Sequence, residues 1–110
     1  MTTTISKHVK LVTFINVFTV DAANQARLVG LLRQVTNDIV RHAPGFIASS
    51  LHRSLDGRKV TMYAQWRSMA EYEAMRKDPR PVPYFEQALA ISTFDPGSYE
   101  VVDDFAADPT

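Results

Sequence analysis

This sequence predicts an α+β domain, and three observations support that. Leu11 to Val20 (LVTFINVFTV) is a dense β-branched and aromatic run, the composition of a central strand. Next, Leu28, Leu31, Leu32, Val35 and Ile39 recur at helical spacing, an apolar stripe of the kind that packs on a sheet. Further on, Pro44 to Tyr72 reads as a strand, a tight turn at Asp56-Gly57, a second strand closed by Trp66, and a helix opening at Ser68.

Taken in order, residues 1–9 are polar and read as a loose arm. The first strand occupies 11–20, and Asp21 is placed to cap the first helix. Arg41 and His42 fall in the last turn of that helix, where positive charge suits its dipole, and Pro44-Gly45 ends it. A hairpin follows over 46–67. With Asp56 and Gly57 as its two loop residues, Leu55 pairs with Arg58 and Leu51 with Met62. That register gives one face to Ile47, Ser49, Leu51, Val60, Met62, Ala64 and Trp66, the more apolar set, which should meet the helices. Ala48, Ser50, His52, Thr61, Tyr63 and Gln65 take the other face, toward a partner subunit or water. Ser68 with Glu71 three residues on is a capping box, and it opens a second helix running to about Lys77. The stretch DPRPVP at 78–83 holds three prolines and excludes regular helix or inner strand. A short helical segment is expected around Tyr84 to Ala90. The last strand is placed at about Ser98 to Phe105, and 106–110 should fray.

The order is β-α-β-β-α-β, the split βαβ of the ferredoxin-like fold. It gives an antiparallel-dominated four-stranded sheet with helices on one face. Strands 1 and 3 are expected side by side and parallel at the sheet centre. The bare face calls for a cover, and in so short a chain a second copy is the natural one. The expected unit is a single domain over 1–110, with its core at about 10–105.

Composition narrows the function. The chain has 110 residues, 45% apolar and 22% charged, an ordinary globular balance. Twelve basic residues offset twelve acidic ones, which gives no reason to expect nucleic acid or an anionic membrane as partner. There is no cysteine, so disulfides, thiolate metal sites and cysteine nucleophiles are excluded. No apolar run approaches a membrane span, and MTTTISKHVK lacks the apolar core of a signal peptide. The expected location is the cytoplasm. The three histidines have no metal-ligand spacing, so no metal site is expected.

The strand FINVFTV, the PGF entry to strand 2, the LHRSLDG turn, YAQW followed by S-x-x-x-Y, and FDPGSYEVVD near the end together resemble the antibiotic biosynthesis monooxygenase family. The resemblance covers about residues 10–105. It implies a dimeric α+β barrel, two ferredoxin-like sheets facing each other. It also implies a cofactor-free oxygenase that turns a phenolic, anthrone-type polycyclic ring into a quinone with O₂. Relatives with the same fold include haem-degrading enzymes, isomerases and many proteins of unknown activity, and the alternatives for this chain are a non-catalytic dimeric small-molecule binding protein, haem degradation, or an isomerising or ring-closing enzyme. Fold alone does not choose among these.

Trp66 matches the family tryptophan; it can donate through its indole N–H and stack on a polycycle, or serve simply as core. Asn16 is the odd polar residue of its strand, and the family often has asparagine there. It is either a donor to a substrate oxygen or O₂, or a structural cross-strand amide. Tyr72 matches a tyrosine of some members and is a candidate proton donor, or an amphipathic aromatic at a helix start. Trp66, Asn16 and Tyr72 are thus the candidate catalytic residues. Met62, Phe85, Leu51 and Phe14 are expected to line the substrate pocket. Some anthrone oxygenases of the family have asparagine at the position of Met62, and some carry an arginine near Phe85; both positions are apolar here. His52 is a weaker candidate base, placed on the opposite face, where an ordinary surface or interface role competes. Tyr63 should also point away from the pocket, and His8 and His42 have ordinary surface roles. Haem-degrading relatives add a histidine on the second helical region, and residues 68–92 contain none. The expected cofactor is therefore none, and the expected partners are an aromatic substrate, O₂ and a second copy.

Overall fold

The first apolar run forms the middle of the sheet. In the computed structural model, which describes residues 3–109, it is β1 (Val12–Val20). A 3-10 turn over Ala22–Asn24 leads into α1 (Gln25–Asp38), and another over Val40–His42 leads out. The remaining elements are β2 (Phe46–Arg53), β3 (Lys59–Trp66), α2 (Met69–Arg76), α3 (Val82–Ala90), β4 (Ser92–Asp95) and β5 (Ser98–Tyr99). The sheet order is β2-β3-β1-β4, with β5 also on β1.

The expected neighbours β1 and β3 do pair, but antiparallel rather than parallel. The crossover through α1 returns the chain to the end where β1 began, so β2 runs the same way as β1. The hairpin then reverses direction, and β3 slots between them antiparallel to both. No parallel pair remains in this sheet among the described residues.

The hairpin register is as expected, with Leu51 opposite Met62. Its loop is longer than two residues. Ser54 N–H donates to Lys59 O at 2.9 Å and closes the ladder, leaving Leu55 to Arg58 as the turn. The Ser54 hydroxyl and Asp56 carboxylate accept from the backbone N–H groups beyond, and Gly57 takes φ +82°. At the start of β2 the register shifts between Phe46 and Ala48, so Phe46 opposes Trp66 and takes the place expected of Ile47.

Asp21 makes no side-chain cap; its carbonyl instead accepts from Asn24 N–H in the 3-10 turn. Leu28, Val29, Leu32 and Val35 of α1 are buried, while Arg41 and His42 lie past the helix in the second 3-10 turn. Ser68 caps α2 as expected, accepting from Glu71 N–H at 3.2 Å. The Glu71 carboxylate is engaged by Arg67 Nε at 2.8 Å and by Ser68 Oγ at 3.0 Å. Gly45 sits against this cap. With φ +88° and Glu71 Cβ only 2.5 Å from where a side chain would start, the position admits glycine alone.

The last strand begins earlier than expected: β4 at Ser92–Asp95 lies ahead of the expected 98–105, and of that span only Ser98–Tyr99 pairs, as β5. β4 and β5 share one register on β1, interrupted at Pro96-Gly97, because proline has no N–H for the ladder. Ile15 N–H still donates to Gly97 O across the break, at 2.9 Å. Val12, the first residue of β1, stands opposite Glu100 in this register, so residues 101–105 have no neighbour to pair with and form no strand.

The arm is also more attached than expected. Gln65 Nε2 donates to Thr4 O at 2.6 Å, and Ser50 Oγ donates to Thr3 Oγ1 at 3.3 Å. Residues 3–4 thus lie over the far face of β2 and β3. Lys7 pairs with Asp103 at 2.8 Å and ties arm to tail. On the helix-covered face the core has two parts. Phe18, Leu28, Leu32, Val60 and Ala88 form one, and Phe14, Val35, Ala64, Trp66 and Met75 the other.

Candidate active site

Between the sheet and the helices lies a cavity of about 340 Å³, touching both parts of the core. That is the lower end of the range for small-molecule sites. Its floor is set by strand alternation: Phe14, Asn16 and Phe18 project from β1 toward the helices, beside Met62, Ala64 and Trp66 of β3. The walls are Val35 of α1, Tyr72 and Met75 of α2, and Phe85 of α3.

Asn16 is the exception in this floor. Its Oδ1 is buried and has no hydrogen-bond partner among the described residues. An unsatisfied buried amide oxygen costs about 1–3 kcal/mol. A cross-strand structural amide would not be left in that state. Directly opposite stands Met62, which offers no hydrogen-bond donor.

Trp66 is only 1% exposed, so it is core and cavity wall at once. Phe46 meets it edge-on at 5.4 Å and 90°, and Tyr72 at 5.6 Å and 79°. Trp66 opposes Val12, four residues along β1 from Asn16. At about 3.3 Å per residue the two stand about 13 Å apart along the strand. They therefore mark two ends of one cavity, a span suited to fused rings rather than a single ring.

Tyr72 lies between them. Its ring stacks on Phe14 with centroids 3.7 Å apart and planes 19° from parallel. Arg76 Nη1 donates to the Tyr72 hydroxyl oxygen at 3.1 Å, one helical turn along. The phenol is thus an acceptor toward Arg76, and its own O–H remains free to donate. Arg76 also lines the cavity. It was not among the expected site residues, although its i,i+4 spacing from Tyr72 is visible in the sequence.

Of the expected lining, Phe14, Met62 and Phe85 are in place. Leu51 lines an outer groove instead, and packs on the Phe18–Leu28 side of the core. His52 is exposed at the edge strand, in that same groove. Tyr63 is on the far face, where its hydroxyl accepts from Gln65 at 3.2 Å. His8 is exposed on the arm, and His42 Nε2 lies 3.1 Å from Asn37 O. Among the described residues no three His, Asp or Glu side chains converge as metal ligands. At the cavity rim, the Arg80 guanidinium bonded to Asp78 holds that carboxyl below its usual range. Asp78 therefore stays charged near neutrality and is not a proton donor.

The profile of the antibiotic biosynthesis monooxygenase family matches residues 11–90, the stretch from β1 through α3 that builds nearly all of this cavity. The chain belongs to the antibiotic biosynthesis monooxygenase family. Within it, tetracenomycin F1 monooxygenase of Streptomyces glaucescens is 44% identical over 104 residues, covering 94% of this chain and 93% of that protein. A monooxygenase from the gene ActVA-Orf6 of Streptomyces coelicolor, solved with nanaomycin D, is 27% identical with a TM-score of 0.75. That match covers 91% of this chain and 93% of the other. SnoaB, a cofactor-independent oxygenase from Streptomyces nogalater, is 26% identical with a TM-score of 0.72, over 93% of this chain and 97% of its own. No helix among the described residues is long and apolar enough to cross a membrane.

Proposed function

We propose that this protein is a cofactor-independent monooxygenase, acting in the cytoplasm as a homodimer, that oxidises a phenolic, anthrone-type polycyclic aromatic to a quinone with O₂. The observation that carries the reading is the Asn16 amide oxygen, left unpartnered in an apolar cavity that Trp66 and Tyr72 also line. Such a group is a place for a polar atom that arrives with the ligand. The likeness to tetracenomycin F1 monooxygenase and to SnoaB supports the reaction class.

The chemistry needs little from the protein. Ground-state O₂ is a triplet and reacts poorly with closed-shell molecules, but an electron-rich anion can pass it one electron. The reacting ring carbon starts as CH₂ and loses a proton to give the delocalised anion. Electron transfer gives a carbon radical and superoxide, which combine into a peroxide anion with a new C–O bond, and this takes back the first proton as a hydroperoxide. Loss of the second C–H proton breaks the O–O bond, leaving C=O and releasing hydroxide, which departs as water. CH₂ and O₂ thus become C=O and H₂O, and the substrate supplies all four electrons.

Within this scheme Asn16 fixes a ring oxygen, and the Phe14, Met62 and Phe85 walls exclude water. Trp66 sets the far end of the ring system. Tyr72, its oxygen held by Arg76, gives a proton to the departing hydroxide. The dimer is supported by the far face of the sheet. Ile15, Val17 and Tyr63 lie there half-buried, with residues 3–4 of the arm crossing only β2 and β3.

The test is O₂ uptake by metal-stripped protein with dithranol, compared with Trp66→Phe. Quinone formed in step with O₂ consumed, and slowed about tenfold or more in a folded variant, is the expected result. Quenching of tryptophan fluorescence by dithranol without O₂ uptake would replace the oxygenase with a binding protein.

A further inference from the structure

The chain has four methionines and no cysteine, so thioethers carry all of its sulfur chemistry. Two of them, Met62 and Met75, line the inner cavity. Met75 is 9% exposed and packed into the core with Phe14, Val35 and Trp66. Met62 is only half-buried, and three observations set it beside the groups assigned to the substrate. It stands opposite Asn16 in the β1–β3 pair. It is the diagonal neighbour of Phe14, on which the Tyr72 ring lies, and a long side chain reaches across such a diagonal. It also lines the outer groove, so it forms part of the wall between the two spaces. A ring held by Asn16 and protonated by Tyr72 passes through its hydroperoxide stage next to this thioether.

We propose that Met62 is a turnover-dependent oxidation site, where the substrate hydroperoxide passes one oxygen to sulfur. The inference rests on the oxygenase reading for its oxidant. The Met62 sulfur attacks the outer oxygen of the hydroperoxide. An S–O bond forms, the O–O bond breaks, and the proton of the outer oxygen moves to the oxygen left on the ring. Sulfur loses two electrons and the peroxide gains them, so methionine sulfoxide and a ring alcohol form in place of the quinone and water of the main path. The soft, polarizable side chain that suits an aromatic ring becomes a polar one. In this wall a sulfoxide draws water from the groove into a cavity whose chemistry depends on dryness. Each misdirected turnover thus disables one site, and methionine sulfoxide reductases are the class of enzyme that restores it.

The test is turnover of dithranol under ¹⁸O₂, with catalase and superoxide dismutase present, followed by peptide mass spectrometry. Met62 should gain about 18 Da, rather than the about 16 Da that ordinary oxygen adds, in proportion to the quinone formed. Met69 is 39% exposed and reports on peroxide in bulk solvent. Met62 should be oxidised at least about tenfold more than Met69, a small part of what holding two reactants together can give. The rate should fall as the sulfoxide accumulates. Met62→Leu, whatever its starting rate, should hold that rate over the same number of turnovers; if it does not fold, the wild-type peptide map decides alone. An unmodified Met62 after sustained turnover would overturn the site, as would oxidation at Met75 in its place or equal oxidation of Met62 and Met69. If dithranol gives no O₂ uptake, the oxygenase reading fails and cumene hydroperoxide is supplied directly. Saturable oxidation of Met62 ahead of Met69, blocked by the quinone of dithranol, would then uphold oxygen transfer from a bound hydroperoxide, and unselective oxidation would overturn it.

Discussion

Replacing Asn16 by leucine separates a binding amide from a structural one. The two side chains are close in size, and the site is bounded by Phe14, Met62 and Phe18, so leucine enters apolar surroundings. In the free protein the change removes a buried oxygen that has no partner. Relief of that desolvation is worth about 1–3 kcal/mol, and burial of added apolar surface works in the same direction. Overpacking takes some of this back, so a net gain of about 1 kcal/mol is expected. For a domain of this size that raises Tm by roughly 4–8 °C. Turnover should move the other way. Loss of the Oδ1 acceptor that positions a substrate O–H should cost about 10²-fold in kcat, the size of a misplacement by about 1 Å. The assays are thermal unfolding by circular dichroism and O₂ uptake on the same preparation. A more stable and nearly inactive Asn16→Leu is the expected combination. Destabilisation by more than about 1 kcal/mol would mean that the amide is bonded within the fold, and a stable variant with full activity would remove it from the site.

Tyr72→Phe keeps the stack on Phe14 and removes only the hydroxyl, so kcat should fall about 10²-fold with little loss of stability. Arg76→Gln should fall between this variant and wild type; wild-type kcat in Tyr72→Phe would exclude the phenol as proton donor. The α2 cap predicts a pH effect on folding. The hydrogen bond from Arg67 is the first cause that lowers the Glu71 carboxyl below its ordinary 4.5. The unfolded state therefore binds the proton more readily, and the cap's contribution is full above pH 4.5 and lost as pH falls through the lowered value. Urea midpoints of wild type and Glu71→Gln should differ at pH 6 and converge toward pH 3; a gap that is constant with pH would mean that the charge is not what Glu71 contributes.

Most of the fold was legible because its signals are local. The strand at 11–20, the Leu51–Met62 register, the Ser68 cap and the helix around Tyr84 to Ala90 follow from patterns spanning a few residues, although that helix starts at Val82 with Pro83 in its first turn, inside the stretch expected to be non-helical. What was misread depends on partners distant in sequence. The direction of β3 relative to β1 follows from the whole α1 crossover, and the end of the last strand from where β1 begins. The bulge at Phe46–Ala48 moved a side chain between faces with no glycine to announce it. Trp66, Asn16 and Tyr72 were singled out through resemblance, and the expected β1–β3 neighbourhood already allowed Asn16 and Trp66 one pocket; all three do line one cavity. Leu51 was assigned to the pocket by its face, but a residue on the right face of an edge strand can still open onto the groove outside. Arg76 was overlooked because a helix-surface arginine has no sequence mark that separates it from a solubilising one.

The cavity also says where catalytic effort is not made. Its interior offers an amide, an indole and a phenol, and its charged groups stay at the rim. Glu71, near the opening of α2, and Asp78, at the rim, are held as anions by Arg67 and Arg80, so neither is poised to trade protons near neutrality. A substrate that enters must bring its own acidity, which a phenol conjugated to the reacting carbon provides. On the proposed mechanism the protein's share is orientation, exclusion of water and a proton for the departing oxygen, terms that can be large without any strongly basic residue. This division of labour accounts for a site built almost wholly of aromatic and aliphatic side chains around one unpartnered amide. It also makes the rate depend on the pKa of the substrate rather than on that of the enzyme. Across a series of anthrones of graded acidity, log kcat should track substrate pKa in wild type, and the tracking should weaken in Tyr72→Phe, where the later proton transfer becomes limiting. A rate insensitive to substrate acidity would point instead to a protein base in the first step.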